Sequence, residues 1–149
     1  MRLVLQRVTS ASVSVDGQVV GQIGRGLVVL VGVADGDTSA DIEYVASKLQ
    51  GLRVLSDEDG RMNRSITDVK GELLVVSQFT LLGDVRKGRR PGFDAAAAPD
   101  QAKRDYEDLV ARLRAMNLPV QTGVFQADMQ VALVNDGPVT LLVDSRKVF

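Results

Sequence analysis

In Glu72-Leu73-Leu74-Val75-Val76-Ser77-Gln78-Phe79-Thr80-Leu81-Leu82 an unbroken apolar run from Leu73 to Val76 turns polar at Ser77-Gln78. A run of this length and branching reads as a central strand with a polar C-terminal end. A companion, Leu27-Val28-Val29-Leu30-Val31-Gly32-Val33, lies upstream. Before it, Val4, Gln6, Val8, Val13 and Val15 alternate with their neighbours, and Asp16-Gly17 marks a hairpin turn into Val19-Val20. From Asp37 the period changes. Asp37, Thr38 or Ser39 caps a helix whose apolar face is Ile42, Val45, Ala46, Leu49 and Leu52. Val54-Leu55 then leads to a second hairpin turn at Asp59-Gly60. Beyond the opening run come a basic loop and the featureless stretch Ala95 to Ala98. Pro99 starts a second helix with Ala102, Tyr106, Leu109, Val110 and Leu113 on one face, ended by Leu118-Pro119. Val120 to Phe125, Met129 to Val134 and Val139 to Val143 are strands, the last two joined by a turn at Asn135-Asp136-Gly137-Pro138. There is no repeat and no linker. This order predicts one mixed α/β domain over residues 1–149, with two helices on one side of the sheets.

Two absences narrow the chemistry: the 149 residues include no His and no Cys. Disulfides, imidazole or thiolate zinc sites, Ser-His-Asp triads and Cys-His pairs are all excluded. Proton handling in any enzyme built on this chain falls to carboxylates, Lys, hydroxyls, backbone groups, water or the substrate. Only 4% of the residues are aromatic and none is Trp, so Val, Leu, Ala and Ile must build the core. No apolar stretch approaches the roughly 20 residues that span a bilayer. Met1 leads straight into Arg2-Leu3-Val4-Leu5-Gln6-Arg7-Val8 without a signal-peptide pattern. The expectation is a cytoplasmic protein that does not engage membranes.

The net charge of −1, from 18 basic and 19 acidic residues, favours no partner globally. Locally, Arg86-Lys87-Gly88-Arg89-Arg90 places four cations in five residues. Charge alone fits a solvated loop as well as a phosphate-binding patch. The generic catalytic motifs fail. Gly21, Gly24 and Gly26 are not spaced as a dinucleotide fingerprint, and Gly83 and Gly88 are followed by Arg89-Arg90 where a P-loop needs Lys-Ser/Thr. No G-x-S-x-G elbow or S-x-x-K pair occurs. Asp57-Glu58-Asp59-Gly60 lacks the later ligands of a calcium loop and reads as a turn. Neither metal nor cofactor is expected.

Two segments remain. At Ser77-Gln78-Phe79-Thr80, hydroxyls, an amide and free backbone N–H groups at a strand end suit a carbonyl oxygen or a developing oxyanion. A strand edge with satisfied hydroxyls is the plainer reading. At Asn135-Asp136-Gly137-Pro138-Val139-Thr140, an X-Pro bond stands where a cis peptide costs little, and its carbonyls would form a rigid acceptor pair. An ordinary β-turn is the plainer reading there.

Taken together, the two segments resemble signature motifs of the bacterial and eukaryotic D-aminoacyl-tRNA deacylase family. The likeness runs end to end through Gln6-Arg7-Val8, Ala11-Ser12-Val13, Gly26-Leu27, Leu30-Val31-Gly32-Val33, Leu52-Arg53, Met62-Asn63, Val76 to Leu81, Lys87-Gly88, Arg90-Pro91, Ala127-Asp128-Met129 and Asn135 to Thr140. The chain departs from the family at Gln126, where Gly is usual. The resemblance implies a three-layer fold and a homodimer with active sites at the subunit interface. Catalytic Ser77, Gln78, Phe79 and Thr80 of one chain would face a cis Gly137-Pro138 of the other. That dipeptide would receive the α-amino group and reject L side chains by collision. Phe125, Ala127 and Met129 would wall a pocket for the terminal adenosine. Arg7, Arg86, Lys87, Arg89 and Arg90 are candidate phosphate contacts. The implied reaction is hydrolysis of D-aminoacyl-tRNA and glycyl-tRNA esters, assisted by the substrate's own 2′-hydroxyl, with tRNA rather than DNA as the nucleic-acid partner. A paralogous proofreader of other stereospecificity is disfavoured by Ser77-Gln78-Phe79-Thr80, because that branch carries another tetrapeptide. A non-catalytic RNA-binding module would explain the basic loop but not the acceptor-lined turn.

Overall fold

A computed structural model describes residues 1–149. Its strands are β1 (Arg2–Val15), β2 (Gln18–Ile23), β3 (Gly26–Gly32), β4 (Leu55–Ser56), β5 (Met62–Arg64), β6 (Glu72–Ser77), β7 (Val120–Thr122) and β8 (Gln130–Asp144), with helices α1 (Ser39–Gly51) and α2 (Pro99–Ala115). The main sheet runs β2-β1-β3-β6-β7, with β8 on the other side of β1, and β4-β5 form a separate small ladder. β3, β6 and β7 are parallel neighbours, while β1 pairs antiparallel with β2, β3 and β8.

The period of two along the strands divides the core between the two faces of the sheet. Val29 and Val31 of β3, with Leu73 and Val75 of β6, face α1 and α2 and join one large cluster. Val28, Leu74 and Val76 face the other way, where Ala11, Val13 and Ile23 from the far half of β1 and from β2 fold over them. Both helices therefore lie on one side, as expected. Helix α2 buries its predicted stripe, Ala102, Tyr106, Leu109, Val110 and Leu113, and α1 buries Ile42, Val45, Ala46 and Leu49, while Leu52 lies just past the helix end and is half-buried. Thr38 is the cap of α1, with Asp41 completing a reciprocal capping box. Pro99 starts α2.

Three expectations need correction. At the start of β1 the phase is the reverse of the one read from Val4 and Gln6: Leu3 and Leu5 are buried towards the helices and Arg7 shares their phase, whereas Val8 and Val13 are buried as expected. The opening run does not continue as a strand, because β6 ends at Ser77 and Phe79–Leu82 form a 3-10 turn. Gly32 permits that turn, since a Cβ there would strike the side chains of Leu82 and Leu81. The strand-turn-strand expected after residue 129 is a single 15-residue strand, β8. Asn135 pairs with Val8 and Thr140 with Gln6, so Asp136 to Val139 stand opposite Arg7 alone as a wide bulge.

Candidate active site

A cavity of about 630 Å³ opens at the C-terminal end of β6. Val76, Ser77, Gln78 and Phe79 form one side, and Phe125, Gln126, Ala127, Met129 and Val131 form another. Val33, Phe93, Ala96, Ala97, Pro99 and Ala102 complete it. The stretch read as featureless is therefore a wall. Ala96 bridges to Ala34, and the Ala97 N–H donates to the Val33 carbonyl at 3.0 Å, which fastens this segment beside the end of β3. Phe79 and Phe93 meet edge to face at 5.0 Å between ring centroids. No side chain lining the cavity is ionisable.

The tetrapeptide does not present four equivalent groups. The Gln78 N–H donates to the Val31 carbonyl at 2.7 Å, which ties the start of the turn to β3. Gln78 Nε2 donates to Thr80 Oγ1, so one side chain orients the other. The N–H groups of Phe79 and Thr80 open the 3-10 turn, where no partner exists within it. Phe79 is 55% exposed, an unusual position for an aromatic ring in a folded chain.

Gly137 and Pro138 lie elsewhere. Their peptide bond is cis, both residues are exposed, and neither lines the cavity. Ser77 pairs with Val31 of β3, and β3 is followed by β1 and then β8, so the two motifs are three strand positions apart. At about 4.8 Å per strand that is roughly 14 Å across the sheet. Further separation runs along the strands, because Val31 pairs with Leu3 while the bulge stands opposite Arg7. A single chain does not bring the two motifs together.

The bulge is nonetheless firmly held. Asn135 Oδ1 accepts from the Val139 N–H at 2.7 Å, and Asn135 Nδ2 donates to the Val139 carbonyl at 3.1 Å. Arg7 Nε donates to the Asp136 carbonyl at 2.7 Å, and its Nη1 donates to the Val54 carbonyl at 3.0 Å and to Ser56 Oγ at 3.3 Å. With Arg7 only 8% exposed, this guanidinium is committed inside the chain. Its assignment as a phosphate contact is corrected: it is a brace for the segment carrying Gly137-Pro138. The phase Arg7 shares with the buried Leu3 and Leu5 is the signal in the sequence that points it inward, whereas the clasp formed by Asn135 has no local signal beyond its place in the turn-like segment.

The basic loop is a lobe closed by paired backbone bonds between Asp84 and Gly92, at 2.8 and 2.9 Å. Arg86 grips Asp84 at 2.7 Å, and its hydrogen bonds hold the Asp84 carboxyl down at about 2. Lys87, Arg89 and Arg90 remain exposed without an acidic partner. Lys87 and Arg90 border a shallow cavity of about 290 Å³ with Asp84 and Asp94.

The family model described as D-Tyr-tRNA(Tyr) deacylase matches residues 4–144. A D-aminoacyl-tRNA deacylase of Desulfitobacterium hafniense (strain DSM 10664 / DCB-2) is 60% identical over 149 residues, covering all of both chains. The solved structure named c-Myc DNA Unwinding Element Binding Protein is 42% identical, with a TM-score of 0.91 over 97% of this chain and 98% of its own. Another, named "Structural Analysis of a probable eukaryotic D-amino acid tRNA deacylase", is 20% identical, with a TM-score of 0.81 over 96% of this chain and 98% of its own, and shares the fold. With a family match and end-to-end identity of this extent, the chain belongs to the D-Tyr-tRNA(Tyr) deacylase family.

Proposed function

We propose that the chain hydrolyses the ester joining a D-amino acid, or glycine, to the terminal ribose of tRNA, as a cytoplasmic homodimer. In this dimer the cavity beside Ser77-Gln78 is completed by Gly137-Pro138 of the partner subunit. Relatives of 60% identity carry the name D-aminoacyl-tRNA deacylase, which supports the reaction. The separation of two exposed motifs across one sheet carries the cross-subunit arrangement. The strand bearing Gly137-Pro138 also exposes Val131, Val134 and Leu142, a flank with the apolar character of a self-association surface.

In this scheme the terminal adenosine occupies the aromatic-lined cavity, and Phe125, Ala127 and Met129 hold it. The carbonyls of Gly137 and Pro138 receive the α-amino group. An L side chain collides with that braced dipeptide, a D side chain projects away, and glycine has none. Water attacks the ester carbonyl, and the N–H groups of Phe79 and Thr80 stabilise the resulting oxyanion. The cavity wall supplies no ionisable side chain, so the ribose 2′-hydroxyl activates the water. Lys87, Arg89, Arg90 and, when it exchanges away from Asp84, Arg86 meet acceptor-stem phosphates.

Deacylation of matched D-, L- and glycyl-tRNA tests the reaction, with hydrolysis of the D and glycyl esters only as the expected result. Subunit mixing tests the architecture. Ala127→Trp fills the cavity and Gly137→Val blocks the bulge, so each homodimer should be inactive. Co-assembled, they should regain roughly one active site in four through statistical pairing. No regain at all would place both motifs in the same subunit's site and overturn the proposed dimer arrangement.

A further inference from the structure

Gln126 occupies a backbone conformation that its residue type disfavours. The Ala127 N–H donates to the Val124 carbonyl at 3.2 Å, closing a tight turn with Gln126 at its third position and φ at +63°. This is the left-handed region, where a Cβ is a steric burden and glycine is the natural choice. Packing does not explain the choice of glutamine, because the side chain is exposed and the chain's own hydrogen bonds leave its amide free. Backbone strain kept at a cavity wall points to a use for the side chain.

The cavity suggests which use. Its polar side chains are Ser77, Gln78 and Gln126. Gln78 is engaged with Thr80. The Ser77 hydroxyl both donates and accepts, so it discriminates poorly between edges of opposite pattern. Gln126 alone offers a fixed donor beside a fixed acceptor. That pattern complements the adjacent N6 amine and N7 of adenine, the pairing glutamine makes in nucleic-acid readout.

We infer that Gln126 is a specificity-determining residue that reads the base of the terminal nucleoside, its carbonyl accepting from N6 and its amide donating to N7. This assignment rests on the proposed placement of the terminal adenosine in the cavity. It requires no contact with the ester, so stereochemical selection stays with Gly137-Pro138.

The test is titration of the intact protein, followed by NMR, with adenosine 5′-monophosphate and with purine riboside 5′-monophosphate, which lacks the N6 amine. Wild type should prefer the adenosine nucleotide by about tenfold, within the range of one good bidentate pair. Gln126→Gly should bring the ratio close to one and raise Tm, because glycine suits the turn. Gln126→Glu keeps the acceptor for N6 but cannot donate to N7 when ionised, and should fall in between. The ratio of D- to L-aminoacyl-tRNA turnover should be the same in all three proteins. A wild-type preference that survives in Gln126→Gly, or an absence of preference in wild type, overturns the assignment while leaving the cavity as the nucleoside site. Failure of wild type to bind either nucleotide removes the cavity reading itself, and the assignment with it.

Discussion

Arg7 and Asp136 are joined by a 2.7 Å hydrogen bond from the guanidinium Nε to the backbone carbonyl immediately before Gly137. The carboxylate of Asp136 lies farther off, at 3.6 Å, and is 45% exposed. The carbonyl bond, not the ion pair, therefore fixes the geometry: charge-assisted hydrogen bonds in partly buried sites contribute about 1.5–3 kcal/mol, and exposed ion pairs little. Through Val54 and Ser56 the same side chain ties the bulge of β8 to the segment entering β4. A strand bulge that would otherwise flex is thereby anchored to two neighbours.

Replacing Arg7 with Lys should separate bracing from phosphate binding. An ammonium keeps the charge but cannot span three acceptors in one plane. We expect kcat/KM for D-aminoacyl-tRNA to fall at least tenfold, while the salt dependence of tRNA binding is unchanged. A phosphate contact behaves in the opposite way: Arg7→Met would lower the slope of log affinity against log salt by about one. That change in slope, with turnover intact at low salt, would return Arg7 to the phosphate-binding set.

Asn135 should matter through its paired acceptor and donor, both of which Val139 engages. Asn135→Ala leaves the Val139 N–H and carbonyl without their side-chain partner, which costs about 1–3 kcal/mol. Asn135→Asp keeps the acceptor for the Val139 N–H but loses the donor. Deacylation rates should therefore fall in the order wild type, Asp, Ala, with thermal unfolding in the same order. Equal rates for Asp and wild type would show that the Nδ2 donor is dispensable.

Gly137 combines φ of +152° with a crowded site, where an added Cβ would stand 2.7 Å from both Cγ2 and N of Val139. Gly137→Ala should reduce D-aminoacyl-tRNA hydrolysis more than tenfold, yet shift Tm by only a few degrees, because Gly137 and Pro138 are exposed and belong to neither core cluster. A large loss of Tm would mean that the bulge is part of the folding core.

Periodicity made most of the fold legible, and contacts between distant segments made the rest illegible. The helices were readable because Ile42 to Leu49 and Ala102 to Leu113 repeat at helical spacing behind Thr38 and Pro99, signals contained in each segment. The end of β6 was not, because Phe79, Leu81 and Leu82 are as apolar as a strand requires. The chain can turn there because Gly32, over forty residues earlier, leaves room. β8 looked like two strands because Gly137-Pro138 is turn-like locally, whereas the Asn135 side chain and Arg7 allow the ladder to resume on the same line. Arg7, expected among the phosphate contacts, is a buried brace. Its phase with Leu3 and Leu5 was present in the sequence and pointed inward.

Tyr106 links α2 to β6 through a hydrogen bond from its hydroxyl to the Val75 carbonyl at 2.8 Å. Burial pushes its phenol up to about 12, against about 10 for an unfolded tyrosine. The stability associated with this shift is complete below pH 10. It is lost as pH rises from 10 towards 12, because the unfolded state releases its proton first. Two units correspond to roughly 3 kcal/mol. Tyr106→Phe should therefore be about 1 kcal/mol less stable at neutral pH, from the lost hydrogen bond, and should lose less stability than wild type above pH 10. Parallel unfolding curves across that range would show that the phenol is not protected by burial.

Thr80 is where a conventional nucleophile would be sought, and the geometry argues against one. Its hydroxyl accepts from Gln78, an amide that cannot take a proton, and no ionisable side chain lines the adjoining cavity. An activated hydroxyl needs a base within hydrogen-bond reach. If water attacks with help from the substrate's 2′-hydroxyl, truncating Thr80 removes only a positioning contact. Thr80→Ala should then retain activity within about tenfold of wild type, whereas losing a true nucleophile abolishes a whole reaction path. Wild type acting on D-aminoacyl-tRNA ending in 2′-deoxyadenosine should slow by about 10²-fold or more, the usual worth of general acid–base help. Thr80→Ala on the deoxy substrate should be slower still by its own modest factor, since the two losses are independent. The opposite pair of results, an inactive Thr80→Ala and normal cleavage of the deoxy substrate, would make Thr80 the nucleophile and end the substrate-assisted scheme.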